Sequence, residues 1–314
     1  MSEKRKTIRQ IADLWKEHKR QYVKKSTMAA YSLSLRNNIL PAFGDKTCLS
    51  ENDVQAFVLE KIKKGLSPKT VKDIVTLLKM IQNYGARNGW IDHSEWYVKY
   101  PSSRGRNTRL PVLTKEQQRK LTVYLKENIT PYNLGILICL STGMRIGEIC
   151  GLKWTDVENE SLRISRTIER IYMVDGAKPY SEIIASTPKT GTSMRCIPLS
   201  LELMHIFKPL LKSADKENFV LTNSRHPIEP HTYRNYFNRL LKSLGIPHIK
   251  FHGLRHSFAT RCIECRCDYK TVSALLGHAD ISTTLNLYVH PNEEQKRRCI
   301  DRMEKWISQG KIGT

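Results

Sequence analysis

Four stretches of the 314-residue chain gather side chains that handle protons and anions, each at a position that reads as a turn or a helix start. Ser141-Thr-Gly-Met-Arg145-Ile-Gly-Glu148 sets an arginine just after a glycine turn at the mouth of a helix. Thr187-Pro-Lys189-Thr-Gly191 sets a lysine at a hairpin turn, and His252-Gly-Leu-Arg255-His256 puts a histidine and an arginine on one helical face. The fourth runs from Leu276-Gly-His278 to Tyr288-Val-His290. Guanidinium forks grip oxyanions bidentately, an imidazole of pKa near ~6.5 exchanges protons at neutral pH, and a phenol of pKa about 10 must lose its proton as it attacks. Taken singly, each has a plainer explanation: a surface ion pair for the arginine, a solvated lysine, and a core tyrosine beside Leu285 and Leu287. His248, His252 and His256 recur at metal-like spacing, but Arg255 lies among them and no HExxH glutamate is present. Cys262, Cys265 and Cys267 hold one C-x-x-C with no second pair, inside what reads as a helix, so they read as ordinary buried thiols and no metal is expected.

Helix signals dominate the scaffold that must position these groups. In residues 1–100, Thr7 precedes Ile8, Ile11, Leu14 and Trp15; Ser26 opens a helix through Tyr31, Leu35 and Ile39 that stops before Pro41; Ser50 with Asp53 makes a capping box; Ser67-Pro68 starts a fourth helix. A small helical bundle follows. Residues 101–112, with two prolines and Arg104, Arg106 and Arg109 but no acid, read as a basic linker that runs along the partner. Thr114 and Gln117 open the second domain, 113–314, with apolar helical segments near 118–127, 131–141 and 144–152. Alternating apolar residues among turns at 160–198 predict one three-stranded antiparallel sheet, and helices resume near 200, apart from an extended piece at 219–222. Ile300, Met303, Trp306 and Ile307 stripe a last helix over 292–307. The fold class is mainly α with a small antiparallel β-sheet (α+β).

Charge names the partner class. The 52 Lys and Arg against 30 Asp and Glu leave +22, and the excess runs through both halves of the chain rather than a tail. Such a field favours a long polyanion, nucleic acid first. No apolar run approaches the roughly 20 residues that span a bilayer, and the first residues carry no signal-peptide core, so no membrane partner is expected. Eight cysteines without an export signal point to reduced thiols in a cytoplasmic protein.

Together the four patterns resemble the tyrosine recombinase (phage integrase) family, through TGMRIGEICGL, TPKTGTSMRCIPL, HGLRHSFAT and LLGHADISTTLNLYVH. The likeness covers nearly the whole chain. It implies a core-binding domain over 1–100, a catalytic domain over 113–314, and a catalytic set of Arg145, Lys189, His252, Arg255, His278 and Tyr288, with no metal or nucleotide cofactor. In that reading Arg145 and Arg255 clamp the phosphate from helix starts, helped by the helix dipole, and His278 adds a hydrogen bond. Tyr288 attacks to form a 3′-phosphotyrosyl link, His252 takes its proton, and Lys189 protonates the departing 5′ oxygen. Glu148 orients Arg145 or caps its helix; His256 and His290 are structural or supporting. Many mobile-element integrases carry an arm-site-binding domain ahead of the core-binding domain. Six residues before Thr7 leave no room for it, so either the protein does without it or the chain is a piece of a longer one.

The implied partners are duplex DNA attachment sites, bound by a homotetramer on two sites with its C-terminal helix exchanged between protomers at the nucleoid. An excisionase or a host architectural protein is a further candidate. Lys25, Lys69 and Lys72 sit near the expected DNA face, although a solvated-face reading fits each almost as well. The long sheet segment over 165–186 leans toward integrases of conjugative transposons and phages, with Xer-type resolution of chromosome or plasmid dimers as the alternative. A type IB topoisomerase shares the residue set but exchanges no partners. A catalytically inactive DNA-binding regulator would ordinarily lack the Tyr or an Arg, and here each is present.

Overall fold

The computed structural model describes residues 5–101, 111–176, 178–187, 194–288 and 293–309. The chain divides into two compact units, one of residues 1–108 with 170–184, the other of 109–169 with 185–314.

In the first unit, α1 (Ile8–Arg20) begins where Thr7 and Gln10 cap each other reciprocally. The next helix departs from expectation. α2 (Lys25–Ser34) is capped at Lys24 with no side-chain bond, so Ser26 lies inside its first turn. It does not stop before Pro41 either: a π-turn at Leu35–Ile39 leads into α3 (Leu40–Phe43), where Pro41 falls in the first turn. α4 (Glu51–Lys63) starts at the Ser50–Asp53 capping box and α5 (Pro68–Arg87) at Ser67-Pro68, as their signals indicate. Ile8, Ile11, Trp15, Leu35, Val54, Phe57, Val71 and Leu78 meet in one core, each such burial stabilising by roughly 1.5–3 kcal/mol. Lys69 pairs loosely with Asp73 at 3.7 Å and Lys72 is exposed.

The second unit opens with α6 (Lys115–Glu127), capped by Thr114 and Gln117. It then buries α7 (Pro131–Thr142), whose residues from Asn133 to Leu140 are all inaccessible. α8 (Ile146–Cys150) follows, then β1 (Val157–Glu158), β2 (Ser161–Ile164), β3 (Thr167–Met173), β4 (Tyr180–Ser186) and β5 (Arg195–Pro198). The single three-stranded sheet expected here is two sheets: β1-β2-β5, with Leu162 opposite Ile197, and a separate β3–β4 pair. The break falls at Ser165 and Arg166, whose side chains are drawn onto Asp156 and the Gly151 carbonyl instead of continuing a ladder. The far end of the β3–β4 pair belongs to the first unit. There Asp175 accepts from Lys16 (3.1 Å), Arg20 (3.5 Å) and Ser32 (2.5 Å), and Lys25 pairs with Glu182.

α9 (Leu201–Ser213) and α10 (Pro230–Ser243) complete the core with Phe207, Tyr233 and Phe237 against α7. Residues 219–222 are a turn, not a strand: Phe219 alone bridges to Lys153 and Ser224. α11 (His252–Glu264), α12 (Tyr269–Leu276), α13 (Ile281–Tyr288) and α14 (Glu293–Gln309) close the chain. Cys265 caps α11, so Cys267 lies beyond the helix that was expected to contain it, and both are exposed rather than buried; Cys262 is half-buried. On α14 the side chains of Ile300, Met303, Trp306 and Ile307 are exposed, Trp306 by 78%. Among the described residues no helix is long and apolar enough to cross a membrane.

Candidate active site

The site lies within the second unit and is built where α7, α8, β5, α11 and α12 end or begin. α7 terminates at Gly143, left-handed at φ +68, where a Cβ would meet Phe258 Cδ1 at 2.6 Å and Leu276 Cδ2 at 2.8 Å; only glycine fits. That turn delivers Arg145 as the N-cap of α8. Its backbone N–H and its Nη1 donate to the two oxygens of Glu148 (2.9 and 2.8 Å), and Nη2 donates to the Gly277 carbonyl at 3.3 Å. Arg255, one turn into α11 and 2% exposed, donates from Nη1 to the Gly143 carbonyl (2.9 Å) and from Nη2 to the Leu276 carbonyl (2.7 Å). The two guanidiniums are therefore anchored on consecutive carbonyls, Leu276 and Gly277.

That anchoring corrects the expected role of the helix dipole. α8 is a single short turn, and the groups that meet the arginines are carbonyls at the C-terminal ends of α7 and α12. Those are the negative ends, which favour the cations themselves rather than a bound anion.

Two residues that sequence reasoning passed over complete the arrangement. Arg195 opens β5 and donates from Nη1 and Nη2 to both Glu148 oxygens (3.1 and 3.0 Å) and from Nε to the Leu275 carbonyl at 2.7 Å. Its side chain is 7% exposed against 4% for Glu148. The signal was present: Arg195 is in phase with buried Ile197 on a two-residue period, and a charge on the buried face demands a partner. The second is Thr284, fully buried, whose Oγ1 lies 2.8 Å from His278 Nδ1.

Burial and charge together set the protonation equilibria. Burial alone would raise the Glu148 carboxyl, but the hydrogen bonds and charge of Arg195, then Arg145, outweigh it and hold the group below its ordinary value. Burial, then Arg255 and Arg145, lowers His252. Burial, followed by Arg255, Arg145, Arg195 and His252, pushes His278 down to about 4. His256, edge-on to His252 at 4.6 Å between ring centroids, is likewise lowered to about 4. His248 precedes α11 and is exposed, apart from this pair. The lowering favours the neutral imidazole at His252, His256 and His278.

Arg145, His252, Arg255 and His278 thus share one neighbourhood. Tyr288 ends the two-turn helix α13, which starts three residues after His278, and its side chain lies outside the described atoms. Lys189, His290 and the linker arginines Arg104, Arg106 and Arg109 lie outside the described residues. Among the described residues no cluster of three or more His, Cys, Asp or Glu could hold a metal ion.

Residues 111–295 match the Phage integrase family, and residues 7–58 match its N-terminal SAM-like domain. The chain belongs to the phage integrase family. It is a tyrosine-type site-specific recombinase, an enzyme that cuts and rejoins DNA through a tyrosine, as the motif resemblance implied, and the mainly helical α+β class holds as well. This recombinase is 28% identical to the tyrosine recombinase XerC-like protein of Caldanaerobacter subterraneus subsp. tengcongensis, over 91% of the chain and 75% of that protein. It is 29% identical to the transposase from transposon Tn916 of Enterococcus faecalis over 64% of the chain, spanning about half (53%) of that protein. It superposes with a TM-score of 0.75 and 25% identity on the Tn1549 transposon integrase in complex with transposon right end DNA, covering 95% of this chain and 100% of that one.

Proposed function

We propose that this recombinase integrates and excises a mobile element, cutting duplex attachment sites with Tyr288 as nucleophile. The observation that carries the reading is the anchoring of Arg145 and Arg255 on adjacent carbonyls. It holds two permanently charged forks side by side, as a clamp for the two non-bridging oxygens of one phosphodiester requires. Fixing an arginine side chain costs about 2 kcal/mol of rotamer entropy, and here that ordering is completed on folding rather than on binding DNA.

Each remaining group takes a step. The neutral imidazole of His252 accepts the phenol proton as Tyr288 attacks. Neutral His278 carries one ring N–H; with the Thr284 hydroxyl donating to Nδ1, that N–H sits on Nε2 and points a donor at the phosphate. Lys189 protonates the leaving 5′ oxygen, and the 3′-phosphotyrosyl link keeps the bond energy for religation. Glu148 and Arg195 touch no substrate; they hold Arg145 in place. No cofactor enters this scheme.

The mobile-element assignment is supported by the transposon relatives and by the β3–β4 pair; Xer-type dimer resolution, supported by the XerC-like relative, is the second reading. The enzyme acts in the cytoplasm at the nucleoid as a tetramer on two duplexes, with Lys69, Lys72 and the linker arginines along the backbone. The exposed apolar stripe of α14 docks on a neighbouring copy. The test is a suicide DNA substrate resolved on a denaturing gel: Tyr288→Phe is expected to bind DNA and form no covalent adduct, and an adduct persisting in that variant overturns the nucleophile assignment.

A further inference from the structure

The end of α11 holds a feature that recombination chemistry does not use. Cys265 caps the helix, Arg266 follows in the left-handed region at φ +62, and two bonds close the turn. Arg266 N–H donates to the Ile263 carbonyl and Cys267 N–H to the Cys262 carbonyl, both at 3.0 Å. This is the Schellman arrangement, whose geometry brings the side chains three residues before and two residues after the cap into contact. That contact is ordinarily between two hydrophobic residues; here both are cysteines. Cys262 is half-buried against Ala259, Val272 and Leu276, and burial followed by the neighbouring Cys267, which lies within hydrogen-bonding range, pushes its thiol up to about 11. Cys267 is exposed. A solvent-reachable thiol thus faces a sheltered one across a fixed turn.

We propose that Cys262 and Cys267 are a reversible oxidation site, a dithiol that a peroxide converts to a disulfide across the α11 cap. The Cys267 thiolate attacks a peroxide oxygen: an S–O bond forms, the O–O bond breaks, and the departing hydroxide leaves as water. Cys262 then loses its proton and attacks the sulfenic sulfur, the S–S bond forming as the S–O bond breaks, with a second water released. Two thiols are oxidised and one peroxide is reduced. The disulfide ties the joint between α11, which carries His252 and Arg255, and α12, whose last carbonyls anchor the arginines. It also intercepts the sulfenic acid before irreversible oxidation.

The chain supplies its own readout. Trypsin cuts after Arg261, Arg266 and Lys270, so Cys262 and Cys265 fall in one peptide, 262–266, and Cys267 in another, 267–270. The whole protein is treated with hydrogen peroxide, its remaining thiols are alkylated, and the unreduced digest is weighed. The two peptides are expected to appear joined, in wild type and in Cys265→Ser alike. They are expected to separate on dithiothreitol treatment and in Cys262→Ser. A joined pair that vanishes in Cys265→Ser, or full alkylation of all three thiols after peroxide, overturns the proposal.

Discussion

Glu148 offers the sharpest test of how the site is held, because one buried carboxylate serves two arginines. Glu148→Gln keeps the shape but aims an amide N–H₂ at guanidinium donors. Removing one partner of a buried ion pair costs about 3–5 kcal/mol, and the retained amide oxygen places this change near the lower end, about 3 kcal/mol. For a unit of this size that is a fall in melting temperature of roughly 6–12 °C. The loss carries its own pH signature. The folded pKa of Glu148 lies below the ordinary carboxyl value of about 4.3, so its contribution is complete above that pH and disappears only as pH falls through the folded value. The gap between wild type and variant, measured by thermal unfolding from pH 7 downward, is therefore expected to stay constant to about pH 5 and to narrow below about 4.3. A freed Arg145 misplaces the phosphate by about an ångström, lowering the cleavage rate on the order of 100-fold. Adding Arg195→Met removes the stranded charge and is expected to restore part of the stability but none of the cleavage, which separates positioning from folding. A melting temperature within about 2 °C of wild type, or a gap already closing between pH 7 and 5, refutes the account.

Arg145→Lys and Arg255→Lys each keep the charge and lose the fork, so single-turnover cleavage is expected to fall far more than half-site affinity in a gel-shift assay; cleavage within about twofold of wild type in both removes the phosphate clamp. Thr284→Val deletes one hydrogen bond to His278 without changing volume, and a loss of about 1–1.5 kcal/mol predicts a roughly tenfold slower cleavage at unchanged DNA affinity. An equal loss in both measurements means that Thr284 only supports the fold. Deleting residues 292–314 is expected to leave half-site binding by a monomer and to weaken the joining of two DNA sites; normal synapsis by the truncated protein means that α14 does not dock in trans.

Capping chemistry is local, and so it was legible: Thr7, Ser50, Ser67 and Thr114 each mark a helix start because the residue three positions on answers the cap. α2 hid its start because Lys24 caps it with backbone alone, and Pro41 misled because a π-turn shifts the frame by one residue before it. The arginines and histidines that the structure brings together, Arg145, Arg255, His252 and His278, were readable from their motifs. Glu148 beside Arg145 was readable as well, three residues on, but the rest of what holds them was not, because Glu148 meets Arg195 across 47 residues and the Gly277 and Leu276 carbonyls meet Arg145 and Arg255 across 132 and 21. The sheet was misjudged for the same reason: alternation marks strands but not their partners, and the split is decided by Ser165 and Arg166 reaching Asp156 and Gly151. Lys25 read as a cation of the DNA face because its acid, Glu182, is far away in the sequence.

The contacts of Asp175 also set an order of events during synthesis. Ser32 and Asp175 are separated by 143 residues. At about 5–20 residues per second a ribosome takes roughly 7–30 s to travel that distance. The apolar core of the bundle draws only on residues from Ile8 to Tyr100 and is complete before β3 is made. Throughout that interval Arg20 waits for an acid still untranslated and Lys16 has only Asp13, 3.1 Å away on its own helix, at the moment when the nascent chain sits among ribosomal and messenger RNA. The last piece of the first unit to be synthesised therefore competes for those cations with any polyanion that reaches them first.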